Sequence, residues 1–256
     1  MSEFIITESR NNILRIEINC PKTKNAITRN MYTAMASAIN EGEQNPLIRV
    51  IILHGQKEYF TAGNDIKDFQ DLPPSEGTNP VSEFMRAITN VKKPLIAAVS
   101  GYAIGIGTTM LFHFDLVYAG NNAKFQLPFI NLGLCPEFGS TFLLPRLIGP
   151  HRAKELFYYG DFFNAQDAYE IGLVNKIFSE QELLQNVIML SKRLAEKPPA
   201  SLRLTKALIK QNISVKLEDI ITEEGWHFAE RLRSPEAKEA FAAFYEHRKP
   251  DFSKFH

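Results

Sequence analysis

Residues Leu95–Leu127 read LIAAVSGYAIGIGTTMLFHFDLVYAGNNAKFQL, and their pattern decides the fold class. Leu95–Ser100 is a short apolar run directly after Pro94, suited to a strand buried on both faces. Gly101–Gly107 then turns the chain into a helical stretch, Thr108–Phe114, and Asp115–Ala119 and Ala123–Leu127 read as two further strands. Strands alternating with helices at this spacing argue for an α/β architecture.

The alternation extends outward. Phe4–Glu8 and Asn12–Asn19 alternate apolar and polar residues, predicting a hairpin of half-buried strands joined through Ser9-Arg10-Asn11. Thr28 is placed to cap a helix over Arg29–Glu41, where Met31, Met35, Ala38 and Ile39 recur at helical spacing. Val50–His54 predicts another buried strand and empties into GQKEYFTAGNDIKDF. Leu72–Pro80 (LPPSEGTNP) is crowded with turn formers and predicts a mobile loop within the domain, followed by a helix near Val81–Val91. From Ser179 onward only helices are predicted: Glu180–Glu196, Ala200–Asn212, Leu217–Arg233 and Pro235–His247, the last with a good start at Ser234-Pro235-Glu236. His54 and His113 fall within core elements and form no cluster with His151.

Composition narrows the function classes. Hydrophobic residues make up 45% and charged residues 23%, ordinary for a globular protein, so neither disorder nor a fibre is indicated. Lys+Arg and Asp+Glu both number 29, so no net positive field favours a nucleic-acid backbone. Cys20 and Cys135 have no CxxC partner or histidine cluster, which argues against a disulfide framework and a metal site. No apolar run reaches the ~18 residues of a membrane span. The opening MSEFIITESR is unlike a secretory leader and the closing DFSKFH unlike a peroxisomal address. The expectation is a cytoplasmic, bacterial-style protein.

One carboxylate stands out. In Asn131–Arg146, NLGLCPEFGSTFLLPR, Pro136 suits a first helical position and Glu137 then falls in the first turn among Leu134, Phe138 and Phe142. The helix dipole would lower the pKa of Glu137 while an apolar setting would raise it, and a general base needs the second influence to be at least comparable. An exposed first-turn glutamate complementing the dipole fits the same residues. The two glycine turns, GYAIGIG and FTAGND, could each leave a peptide N–H at a helix start facing a ligand oxygen, together making an oxyanion hole. A dinucleotide loop at Gly105-x-Gly107 is disfavoured, because Met110 occupies the third glycine position and no acidic residue follows at the required distance. Asp65 is explained as a helix cap and stays outside the catalytic set.

Taken together, PKTKNAIT, FTAGNDIKDF, KKPLIAAVSGYAIGIG, FDLVYAGNNAKFQLP, LGLCPEFGSTFLLPR and AQDAYEIGLVNKIF resemble the enoyl-CoA hydratase/isomerase (crotonase) superfamily, in the family's order from about Ile13 to Phe178. The resemblance implies a spiral core of β-β-α turns over residues 1–195, and a helical trimerisation region over 196–256. It further implies a homotrimer or dimer of trimers acting on an acyl-CoA thioester, without metal, cofactor, nucleic acid or membrane. Carried over by position, it implies that the backbone N–H groups of Asn64 and Ile106 hold the thioester oxygen. Ala62, Gly63, Asn64, Asp65 and Ile66 would line the acyl-CoA site, with Lys22, Lys24 and Ala26 near the CoA moiety. The lysines equally suit solvated loop charges.

The departures from the pattern are informative. The two glutamates of the hydratases are replaced here by Thr109 and Phe129, and neither side chain can be an anion at neutral pH. Phe129 would instead join the apolar substrate wall. The pattern LPF-x-x-LG-x-x-PE-x-x-S places Glu137 where the peroxisomal-type Δ3,Δ2-enoyl-CoA isomerases carry their base. The resemblance therefore implies isomerisation of 3-enoyl-CoA in fatty acid β-oxidation. A hydrolase or decarboxylase on the same oxyanion hole, or a non-catalytic acyl-CoA-binding scaffold, is the alternative.

Overall fold

The computed structural model describes residues 2–70 and 79–255. It opens on an antiparallel hairpin, β1 (Ile5–Arg10) and β2 (Ile13–Ile18), with Arg10 opposite Ile13. Asn11 and Asn12 between them have φ of 53° and 63°, the left-handed pair that a two-residue type I′ turn requires and that asparagine tolerates. The turn thus sits later than the expected Ser9-Arg10-Asn11, because a two-residue primed turn matches the twist of the strands. Helix α1 (Arg29–Gln44) follows, with the Thr28 hydroxyl accepting from the Met31 N–H at 3.4 Å.

One unit then repeats: a strand in a large sheet, a strand in a small sheet, a helix. The first repeat is β3 (Val50–His54), β4 (Tyr59–Thr61), α2 (Ile66–Gln70) and α3 (Pro80–Asn90). The second is β5 (Leu95–Val99), β6 (Tyr102–Ile104) and α4 (Ile106–Thr109), extended by a 3₁₀ turn over Met110–His113. The helix expected at Thr108–Phe114 therefore starts earlier and tightens halfway. The third is β7 (Leu116–Gly120) and β8 (Lys124–Gln126), with α5 (Ser140–Ile148) and α6 (Pro150–Tyr159). Two short strands, β9 (Phe163–Asn164) and β10 (Lys176–Phe178), flank α7 (Ala165–Glu170). The six-stranded sheet runs β1-β2-β3-β5-β7-β10 and the four-stranded one β4-β6-β8-β9. Pairs β2–β3, β3–β5, β5–β7, β4–β6 and β6–β8 are parallel, which is why each return crosses over through the other sheet and a helix. This is the β-β-α spiral. The expected loop at Leu72–Pro80 falls, as far as residue 78, outside the described residues; Asn79 caps α3 by accepting from the Val81 N–H at 3.0 Å.

Every residue of β3 and β5 is buried, the two-sided burial their apolar runs require. Ile51, Leu53, Leu95, Ala97 and Val99 face the main core with α1 and α3. Val50, Ile52, Ile96 and Ala98 face the opposite side, covered by Leu183 and Val187 of α8 (Leu183–Ala195). Three helices follow: α9 (Pro199–Gln211), α10 (Ser214–Arg231) and α11 (Pro235–Tyr245). Phe228, Ala237 and Phe241 pack a third cluster onto Leu127, Phe129, Leu134 and Leu144, bringing α10 and α11 onto the loop that carries Glu137. Among the described residues no helix is long and apolar enough to cross a membrane.

Candidate active site

The two glycine turns meet because they leave adjacent parallel strands. Thr61 of β4 lies opposite Ala103 of β6, and three residues beyond each come Asn64 and Ile106. The turns touch closely enough to exclude side chains: a Cβ on Gly63 would lie 2.9 Å from the Ile104 carbonyl oxygen, and one on Gly107 2.5 Å from Cγ2 of Thr61. Ile27 bridges to Asn64 in parallel, donating its N–H to Gly63 O at 2.8 Å and accepting from the Asp65 N–H at 3.0 Å. That alternation turns the Asn64 N–H to the side away from Ile27. Ile106 opens α4, so its N–H belongs to the first turn, which lacks acceptors within the helix.

The segment with Lys22, Lys24 and Ala26 runs beside this turn. The Lys24 carbonyl accepts from the Ala62 N–H at 3.0 Å, while the ammonium groups of Lys22 and Lys24 belong to exposed residues of the 3₁₀ turn and its cap. Buried Asn25 fastens the segment, its amide donating to the carbonyls of Ile18 at 2.9 Å and Tyr59 at 2.8 Å. Asp65 accepts from the N–H groups of Lys67 and Asp68, both at 3.1 Å, so its carboxylate caps α2, whose first residue is Ile66.

Glu137 is not where a helix starting at Pro136 would hold it. α5 begins at Ser140, because Phe138 and Gly139 adopt left-handed φ of 60° and 70° and bend the chain first. The N–H groups at the start of α5 go to a different carboxylate: Glu224 of α10 accepts from Gly139 N–H at 2.5 Å and from Thr141 N–H at 3.0 Å. The stabilising end of the helix dipole is thereby spent on Glu224. Glu137 is 4% exposed and lies beside the Thr109 hydroxyl, which donates to Oε1 at 3.4 Å. Burial, and then the nearby Glu224 carboxylate, push its pKa up to about 8, with the Thr109 hydrogen bond opposing them. Glu137 lines a cavity of about 930 Å³ with Phe138, Leu143, Leu217, Ile221 and Phe228 and with the charged Lys206 and Lys210 among others; Asn64 and Ile106 are not among the lining residues. Phe129 packs edge-on to Phe228 with ring centroids 6.4 Å apart, behind that lining.

Three further residues belong to this neighbourhood. The Tyr32 hydroxyl donates to the side-chain oxygen of Asn64, and burial together with the Glu137 charge raises its pKa well above 10. Tyr32 sits on the apolar stripe of α1, where nothing distinguishes it from a core aromatic. His113 is a buried residue as its sequence position indicates, and it also stacks on Phe138 at 3.9 Å and bonds the Phe138 carbonyl through Nε2 at 2.7 Å. Glu224 had one visible signal: it is a charge on the stripe Leu217, Ile221, Phe228 and Leu232.

Residues 8–254 match the family described as enoyl-CoA hydratase/isomerase. The chain is 34% identical to a crotonyl-CoA hydratase of Syntrophomonas wolfei, over 98% of each protein. It is also 34% identical to human enoyl-CoA delta isomerase 2, over 87% of this chain but only 58% of that longer protein. An enoyl-CoA hydratase/isomerase structure from Pseudoalteromonas atlantica superimposes with a TM-score of 0.94 at 36% identity, covering 98% of this chain and all of that one. With a buried carboxyl lining a cavity, two helix-opening turns side by side and this match over nearly its whole length, the chain belongs to the enoyl-CoA hydratase/isomerase family, the crotonase superfamily.

Proposed function

We propose that this protein is a Δ3,Δ2-enoyl-CoA isomerase in which Glu137 is the single proton carrier. The observation that carries the reading is that Glu137 is a buried carboxyl with a pKa raised to about 8, while the side chain that hydrogen-bonds to it, Thr109, offers only a hydroxyl. A carboxylate of that basicity can take a proton from carbon acidified by a thioester and return it, since its pKa matches neutral operation. Hydration would need a second group to activate and deliver water. Thr109 and Phe129 cannot ionise to do so, and Glu224 is engaged by Gly139 and Thr141.

In this reading the reaction has two proton transfers. Glu137 removes a C2 proton from the 3-enoyl-CoA, and the electron pair delocalises into a dienolate whose oxygen is held by the Asn64 and Ile106 N–H groups. The protonated Glu137 then delivers the same proton to C4, leaving the double bond between C2 and C3 and the carboxylate restored. Atoms and charge balance with no redox partner. Ala62, Gly63, Asp65 and Ile66 would flank the thioester, and Lys22, Lys24 and Ala26 the CoA phosphates. The cavity would take the acyl tail. Leu204 and Leu208, exposed one turn apart on α9, support association into a homotrimer or dimer of trimers.

The relatives include proteins named as hydratases, so the test separates the two chemistries. Given a trans-3-enoyl-CoA, the protein is expected to form a conjugated 2-enoyl-CoA of unchanged mass. Efficient addition of water to a 2-enoyl-CoA, without conversion of the 3-enoyl isomer, would contradict the reading.

A further inference from the structure

We propose that Glu224 is a positioning residue for Glu137: it fastens the corner that aims the base and keeps a second anionic carboxylate beside it. The inference rests on Glu137 being the base. Its grounds are geometric. Phe138 adopts a left-handed φ of 60°, a conformation uncommon and strained for a bulky side chain. The corner is fastened from both sides. His113 holds the Phe138 carbonyl at 2.7 Å and stacks on its ring, and Glu224 holds the next peptide N–H, that of Gly139, at 2.5 Å. Glu224 also accepts from the backbone and hydroxyl of Thr141, at 3.0 and 2.5 Å, so both its oxygens act as acceptors, which favours the anion against the burial, and the neighbouring Glu223, that raise its pKa. It does this while only 7% exposed, from an element 85 residues further along the chain.

The charge around Glu137 can be apportioned by element. Thr109 on α4 is neutral, and Tyr32 on α1 stays a neutral phenol. His113, with a pKa lowered by burial to about 4, is neutral, as is Cys135 in the same loop, whose thiol burial raises to about 11. Arg231 on α10 is turned to the Gly133 carbonyl at 3.0 Å and to Glu236. Arg86, Asp115, Lys206, Lys210 and Glu218 line the same cavity as Glu137, and among the described residues Glu224 is the charge that bears on it. A helix of the C-terminal region thus supplies both the aim and part of the basicity of a side chain in the spiral core.

The test is a titration that requires no turnover. The protonated Glu137 carboxyl is followed by infrared difference spectroscopy in the full-length protein, its band identified by loss in Glu137→Gln. The wild-type midpoint should lie near 8. In Glu224→Gln it should fall by about one pH unit, burial accounting for most of the rest, and in Glu224→Asp, which keeps the charge, it should stay closer to wild type. An unchanged midpoint in folded Glu224→Gln would reduce Glu224 to a helix cap and overturn the proposal. If Glu224→Gln does not fold, the wild type decides: a shift in frequency of the Glu137 band in a second, more acidic step, where Glu224 protonates, supports the proposal, and a band unchanged below its own midpoint overturns it. Failure of isomerase activity leaves these readings intact, so the two claims fall separately.

Discussion

The Thr109 hydroxyl donates to Oε1 of Glu137 at 3.4 Å, and both residues are buried. Position 109 thus carries a donor to the base and not a second acid. The hydrogen bond favours the carboxylate anion, against burial and Glu224. Thr109→Val should raise the Glu137 pKa further, shift the rising limb of the pH–rate profile to higher pH, and lower kcat/KM at neutral pH by about two- to tenfold. A profile that stays in place would show that the contact does not tune the base.

Tyr32 acts through the turn that carries Asn64. Its hydroxyl holds the Asn64 side chain, whose own peptide N–H is assigned to the thioester oxygen. Removing an oxyanion donor outright costs about 10²–10³ in rate, and Tyr32 acts only through Asn64, so Tyr32→Phe should cost about tenfold in kcat with little change in KM. Loss confined to KM would mean that Tyr32 serves binding alone.

A raised carboxyl pKa also bears on stability. Glu137 shifts from 4.5 when unfolded to about 8 when folded, so the folded state binds more protons between those values. Its contribution is fully present below about pH 4.5 and is lost as pH rises through about 8. Glu137→Gln escapes that loss. Above pH 8 its Tm should exceed wild type by roughly 2–4 °C for each ~1 kcal/mol involved, and the gap should close toward pH 4.5. His113 titrates in both proteins and cancels. A Tm difference independent of pH would contradict the burial argument.

Much of this was legible in the sequence, for local reasons. The apolar runs of β3 and β5 announce strands buried on both faces, and the Thr28 and Ser234 caps mark helix starts that the structure places within a residue. Glu137 was visible as a carboxyl in an apolar run. The start of its helix was not, because Pro136 is an equally good first helical residue, and only the left-handed corner at Phe138 and Gly139 defers α5 to Ser140. Glu224 and Tyr32 were hidden for another reason: their partners lie 85 and 32 residues away, beyond any local periodicity.

The cavity makes a prediction about acyl length. Ile221 lines it from α10, so Ile221→Trp should fill part of it. Long-chain 3-enoyl-CoA should lose about 10- to 200-fold in kcat/KM while a short-chain substrate is largely spared. Equal losses for both lengths would place the tail elsewhere.

The central claim is that Glu137 alone moves the proton. The most direct measurement compares wild type with Glu137→Gln, recording the absorbance rise from conjugation of a 3-enoyl-CoA and, separately, binding of the same substrate. The account predicts a rate loss of about 10³-fold with binding retained. Undiminished turnover in Glu137→Gln would contradict it.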